Sequence, residues 1–165
     1  MKLVMKKGSL WPRPRYFKIM QRIFDLLTEE LGIDKDDVEL STRFYWQTEI
    51  DVLVGKGVTA AVLSNGKGKY KLALTPVTLR QLAVHLAHEL VHMRQYLRGE
   101  LKEKKGKTFF QGKIISSAAV RLSMSMGKPD LIPYEREPYA RMRKLAKTVI
   151  RRLSAQDIAY MNKWS

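Results

Sequence analysis

Residues 82–97 read LAVHLAHELVHMRQYL. This run holds all three histidines of the chain, at 85, 88 and 92, together with Glu89, among otherwise mostly apolar residues. Placed on a helix at about 100° per residue, Leu79, Ala83, Leu86, Leu90, Met93 and Leu97 form one narrow apolar stripe. Thr78, Gln81, His85, His88, His92 and Gln95 form a stripe on the far side. The imidazoles therefore do not point where the main core stripe points, and core packing alone does not account for all three. His88 and His92 are four residues apart, so both rings can reach a single ion from one side of the helix. Glu89 is offset round the helix toward the same cleft. The segment HELVH is thus an H-E-x-x-H pattern. Zinc takes neutral imidazoles at about 2.0–2.1 Å, and a neighbouring glutamate can accept a proton from a water that attacks a carbonyl.

Two histidines leave such a site incomplete. His85 is a poor third ligand, because at 1.5 Å per residue it lies about 10 Å along the axis from His92. No histidine follows residue 92 and the chain has no cysteine, so a complete site needs a carboxylate. The downstream candidates are Glu100, Glu103, Asp130, Glu135, Glu137 and Asp157. Glu100 and Glu103 follow too closely to fold back, and Asp130 stands beside a proline in a turn. In IPYEREPYA, Pro133 precedes a fresh helix and Glu135 and Glu137 fall in its first turns. A rigid helix can lay one of these carboxylates against the histidine helix. Acids in a first helical turn also complement the helix dipole. Glu135 is preferred over Glu137.

Working outward, Thr75 can cap the histidine helix with Pro76 at its first position, and Thr78 with Gln81 offers an alternative capping box. Gly99 is a natural stop. Upstream, WPRPRYFKIMQRIFDLLTEELGI reads as a basic arm and then a helix, with Phe17, Met20, Ile23, Phe24, Leu27 and Leu31 at helical spacing and Gly32 at its end. DVELSTRFYWQTEIDVLV alternates: Val38, Leu40, Thr42, Phe44 and Trp46 share one face, and Glu39, Ser41, Arg43, Tyr45 and Gln47 the other. VTAAVLSNGKGKYKLALTP holds two more strand-like runs around SNGKGK, a hairpin signal. Downstream, LKEKKGKT reads as a charged loop and FFQGKIISSAAVRLSMSMG as a helix. KPDLIP is a break, and YEREPYARMRKLAKTVIRRLSAQDIAYMNKW is helical with an interruption near Ser154.

The expected class is α+β, with a small, mostly antiparallel sheet packed on the H-E-x-x-H helix and further helices at both ends. One domain spans residues 1–165: an N-terminal helix at 12–32, a sheet at 38–75, the active-site helix at 76–98, and a C-terminal helical part at 108–163 that carries the third ligand. A chain of 165 residues with 45% apolar residues suits one domain with one modest core. The lack of cysteine excludes disulfides, thiolate zinc sites and cysteine nucleophiles. No run reaches the length of a membrane span, and the start lacks an apolar stretch of signal-peptide length. These features imply a soluble protein, cytoplasmic or carried in a virus particle. The formal net charge of +15 favours a nucleic acid or another polyanion as partner.

At HELVHMRQ and YEREPYA the chain resembles the zincin metallopeptidases, specifically the gluzincin branch and its smallest, minigluzincin-type members, including phage and archaeal zincin-like proteins. The resemblance covers about residues 69–145. It implies zinc held by His88, His92 and a glutamate on a later helix, with Glu89 as general base in peptide-bond hydrolysis. In such families the ligand glutamate commonly opens an E-x-x-A-D or E-x-x-A-N pattern. Laid on Glu135, Pro138 stands for the alanine and Tyr139 for the acid or amide. Laid on Glu137, Ala140 matches, and Arg141 follows. The resemblance also implies a protein or peptide substrate that adds a strand to the sheet, at VTAAVL or KYKLALT. Tyr139, with Tyr134 as its neighbour, is the candidate oxyanion helper, and His85 lines the site or packs beside it. A weaker similarity links the chain to SprT-like proteases, which act on DNA-bound proteins. These usually carry a third histidine where KKGKTFFQGK stands here. Two rival readings are a basic nucleic-acid-binding or virion structural protein on a zincin scaffold, and a metal-dependent hydrolase of another bond. The first draws on RMRKLAKTVIRR and WPRPRYFK.

Overall fold

A computed structural model describes residues 2–5, 13–34, 39–53, 60–64, 69–75 and 77–163. Its elements are, in chain order, β1 (Lys2–Met5), α1 (Pro14–Leu31), β2 (Glu39–Phe44), α2 (Gln47–Leu53), β3 (Ala60–Ser64), β4 (Lys69–Leu74), α3 (Leu79–Leu97), β5 (Leu101–Lys104), β6 (Lys107–Phe110), β7 (Lys113–Ile115), α4 (Ser117–Ser125), α5 (Arg136–Arg151) and α6 (Ala155–Lys163). Two short 3₁₀ turns, Pro129–Leu131 and Pro133–Glu135, lead into α5.

Helix α3 is the axis of the molecule, packed against α5, α1 and β3. It starts at the capping box rather than at Thr75. Thr78 Oγ1 accepts the Gln81 N–H, and the Gln81 side chain accepts the Thr78 N–H, both at 3.2 Å. Thr75 is buried before the helix, and Pro76 lies outside the described residues. Gly99, in the left-handed region at φ 69°, ends the helix by donating to the Tyr96 carbonyl. Leu79, Ala83, Leu86, Leu90 and Met93 of the expected stripe are buried, but Leu97 is 41% exposed because it lies at the last turn, beyond its packing partners. The predicted face of α1 is also observed: Met20, Ile23, Phe24, Leu27 and Leu31 are buried in the core, with Phe17 partly buried beside it.

The sheet corrects the expectation of a mostly antiparallel arrangement. The strand order is β1-β2-β4-β3. β1 runs parallel to β2 and β2 parallel to β4; only β3 and β4, the predicted hairpin pair, are antiparallel. Helix α1 is the crossover that allows the parallel β1–β2 pair, as parallel pairing requires. β1 lies ahead of the basic arm, in a stretch where the sequence pattern predicts no element. The SNGKGK connection at 65–68 and Val38 lie outside the described residues. On β2, Leu40, Thr42 and Phe44 are buried and Arg43 is exposed as the alternation predicts, but Ser41 of the opposite face is buried too, and the pattern stops at Phe44. Trp46 is 58% exposed and α2 follows, since the Glu49 carboxylate captures the Trp46 N–H at 2.9 Å and opens a helix instead.

Residues 101–115 hold a second correction. The expected charged loop and the first part of the expected helix form a three-stranded antiparallel sheet, β5-β6-β7. Each hairpin has a two-residue connection, Lys105-Gly106 and Gln111-Gly112, and all four residues have positive φ. That is the type I′ geometry whose twist matches paired strands. Helix α4 therefore starts only at Ser117, where Ser116 accepts the Ala119 N–H. The interruption expected near Ser154 separates α5 from α6, and Ser154 Oγ caps α6 by accepting the Asp157 N–H at 3.1 Å.

Candidate metal centre

One turn of α3 carries His88 and His92 into a cleft of about 500 Å³, bordered by β3, the end of α4 and α5. Proline at 133 ends the preceding segment and sets a 3₁₀ turn that leaves Glu135 at the head of α5. Packing of α5 on α3 brings that carboxylate over the histidines. Glu135 Oε2 lies 3.0 Å from His88 Nε2 and 3.2 Å from His92 Nε2, and the two Nε2 atoms are 3.1 Å apart. Ligand atoms at tetrahedral corners about 2.0–2.1 Å from zinc stand about 3.3 Å apart, so this triangle has the size of three corners of such a site. Glu135 Oε2 is buried and makes no well-directed hydrogen bond despite its two close neighbours. A buried acceptor left in that state is costly, and a cation among the three atoms would remove the cost. The donor set, two imidazoles and one carboxylate, is one that zinc accepts.

The carboxylate and the imidazoles shift one another. Burial would raise the Glu135 carboxyl, but the two imidazoles outweigh it and hold the group at about 2. Burial lowers His92, and Glu135 more than offsets this, so His92 ends above its ordinary value. Glu89 stands beside the triangle, only 9% exposed, with Oε2 accepting the Val62 N–H at 2.9 Å. Burial pushes its carboxyl up, against the pull of His92, His88 and that N–H. A carboxyl raised in this way is a better proton acceptor than an ordinary surface glutamate.

Glu137, the other candidate ligand, points elsewhere. It pairs with Arg94 of α3 and with Arg141, 2.9 Å away on its own helix. Glu103 accepts from the Tyr96 hydroxyl at 3.2 Å, and Asp157 pairs with Arg15 at 2.6 Å. Among the described residues, His88, His92 and Glu135 are the group placed to share an ion. Tyr139 lines the cleft and packs edge-on against His88, ring centres 4.9 Å apart. Tyr134 packs against His92 at 6.0 Å. His85 lines the cleft, half-buried; burial first and His88 second lower its pKa.

Sequence reasoning placed Gln95 on the histidine stripe but gave it no task. Gln95 is 1% exposed; its Oε1 faces His92 Nδ1 at 3.1 Å, and its Nε2 donates to the Tyr134 carbonyl at 3.1 Å. The carbonyl can only accept, so it fixes which way the amide faces. Oε1 then accepts a hydrogen bond from the His92 Nδ1–H and leaves the Nε2 lone pair of His92 turned into the triangle. The same link ties the α3 histidines to the segment that delivers Glu135. Position 95 follows His92 by three, and that spacing was the available signal.

Of the two strands proposed to receive a substrate, β4 lies between β2 and β3, and β3 is the edge. The Val62 N–H points away from β4 toward Glu89, so the edge of β3 that no described strand pairs with faces the site. Among the described residues no helix is long and apolar enough to cross a membrane. No protein-family model matches the chain, and no curated protein matches it.

Proposed function

We propose that this protein is a zinc-dependent metallopeptidase of the zincin type. The observation that carries the reading is the convergence of His88 Nε2, His92 Nε2 and Glu135 Oε2 to within 3.2 Å of one another, with Glu89 alongside. When bound there, zinc supplies a Lewis acid for a carbonyl oxygen and for the attacking water. His88, His92 and Glu135 hold it, and Gln95 keeps His92 in the tautomer that can bind. The edge of β3 offers backbone groups to an extended peptide, which sets a scissile bond over Glu89. The Glu89 carboxylate takes a proton from the attacking water and passes it to the leaving amine. Tyr139 is the candidate to steady charge on the carbonyl oxygen, supported by the packing of its ring on His88 beside the cleft.

The test is hydrolysis of an unfolded protein by the purified, zinc-loaded chain, with Glu89→Gln beside it. The expected result is cleavage abolished by chelator. Glu89→Gln should keep stoichiometric zinc and wild-type unfolding while its rate drops by about 10²–10⁴, the range for loss of a positioned acid–base group. Stoichiometric zinc with no cleavage, or cleavage that survives Glu89→Gln, overturns the assignment.

A further inference from the structure

The helix that delivers Glu135 carries a second feature that the peptidase reading does not use. Residues 136–152 contain seven arginines and lysines and one acid, Glu137. Two of the cations are paired: Arg141 with Glu137, and Arg152 with Glu29 and Glu30. The other five, Arg136, Arg143, Lys144, Lys147 and Arg151, are exposed and have no ion pair among the described residues. At 100° per residue they fall within a sector of about 100°, opposite the buried Pro138, Leu145 and Val149, and they span about 22 Å of helix. The one acid of α5 pairs with Arg94 and Arg141, and Asp130 borders Arg136 and Arg143 at the start of the helix; one acid against five cations leaves the outer face strongly positive.

We propose that this face of α5 is a docking surface for the phosphate backbone of duplex nucleic acid. A rigid row of cations on a helix complements a phosphate array, and binding through it is independent of base sequence. The face suits neither a membrane nor a single strand. The apolar side of α5 is spent on α3, leaving none to enter a lipid interface. The one aromatic residue of α5, Tyr139, borders the sector beside Arg136 and Arg143 and packs edge-on against His88, so unpaired bases find no row of rings to stack on.

The surface is tested by equilibrium binding of a labelled duplex of mixed sequence at several salt concentrations, in the presence of chelator. Five phosphate contacts give a slope of log K against log salt of about −4 to −5, at about −0.9 per contact. The triple variant Arg143→Gln, Lys147→Gln, Arg151→Gln should bring the slope to about −2. The charge-keeping pair Arg143→Lys, Arg151→Lys should leave it unchanged. Lys102→Gln, Lys104→Gln, Lys107→Gln, an equal charge loss on exposed residues of β5 and β6, should also leave it unchanged. Should the α5 triple unfold early, its three single variants replace it, each lowering the slope by about 0.9. Equal loss from the β5–β6 set, no binding at low salt, or preference for anionic lipid vesicles over duplex would overturn the proposal. Because the assay reads binding without metal, its outcome is independent of whether the chain is a peptidase.

Discussion

Replacing Gln95 tests the site through a residue that touches no ligand atom of the triangle. Gln95→Leu keeps the side chain's approximate volume in a position 1% exposed, so overpacking and cavity effects are small. It removes the acceptor for His92 Nδ1 and the donor to the Tyr134 carbonyl, each 3.1 Å away. Each buried polar group left without a partner costs about 1–3 kcal/mol, so apo stability should fall by about 2–6 kcal/mol. Loss of a partner that orients a histidine ligand lowers metal affinity by about 10–100-fold, or about 1.4–2.8 kcal/mol. Gln95→Glu separates the two effects. It still accepts from His92 but cannot donate to Tyr134, so zinc affinity should stay within a few-fold while stability still drops. The assays are competition for zinc against a chromophoric chelator and urea unfolding of the metal-free protein. Unchanged zinc affinity in a folded Gln95→Leu protein refutes the reasoning, because His92 would then need no orienting partner.

Glu135→Ala should lose stoichiometric zinc, whereas Glu137→Ala should keep it and lose about 2 kcal/mol of stability with its charged hydrogen bonds; metal analysis and unfolding of both variants decide, and zinc lost from Glu137→Ala alone reverses the ligand assignment. The metal-free protein should be most stable in mildly acid solution. Glu135 is held at about 2 against an ordinary 4.5, so its contribution is present above about 4.5 and is lost as pH falls toward 2. His92 is raised above 6.5, so its contribution is full below that value and is lost as pH rises through the raised one. The raised Glu89 adds to the loss on the alkaline side. Zinc should reverse the trend, because its ligands bind deprotonated and its stabilisation grows with pH. Chelated protein that resists urea better at about pH 8 than at about pH 5 contradicts this balance.

Much of the helical framework was legible because its signals are local. Phe24 and Leu27 on α1 and Leu86 and Leu90 on α3 repeat at helical spacing, and caps at Thr78 and Ser154 mark the starts. The β5–β7 sheet was not legible. Its strands are short and largely exposed, so no alternation marks them, and its turns put Lys105 and Gln111 where Asn or Asp would be the usual sign. The parallel pairs escaped for another reason. Alternation on β2 says which residues face the core, but nothing in it says which strand lies alongside.

The spacing of His88 and His92 follows from helix geometry alone: residues four apart on any α-helix stand one turn apart, whatever the rest of the chain does. The third corner does not follow in that way. Glu135 and Glu137 both open α5, and their roles differ only because α5 packs on α3 at a rotation that aims one carboxylate at the imidazoles and the other at Arg94. Rotation about a helix axis is set by how side chains interlock across an interface, and two residues along the chain amount to a turn of about 200°.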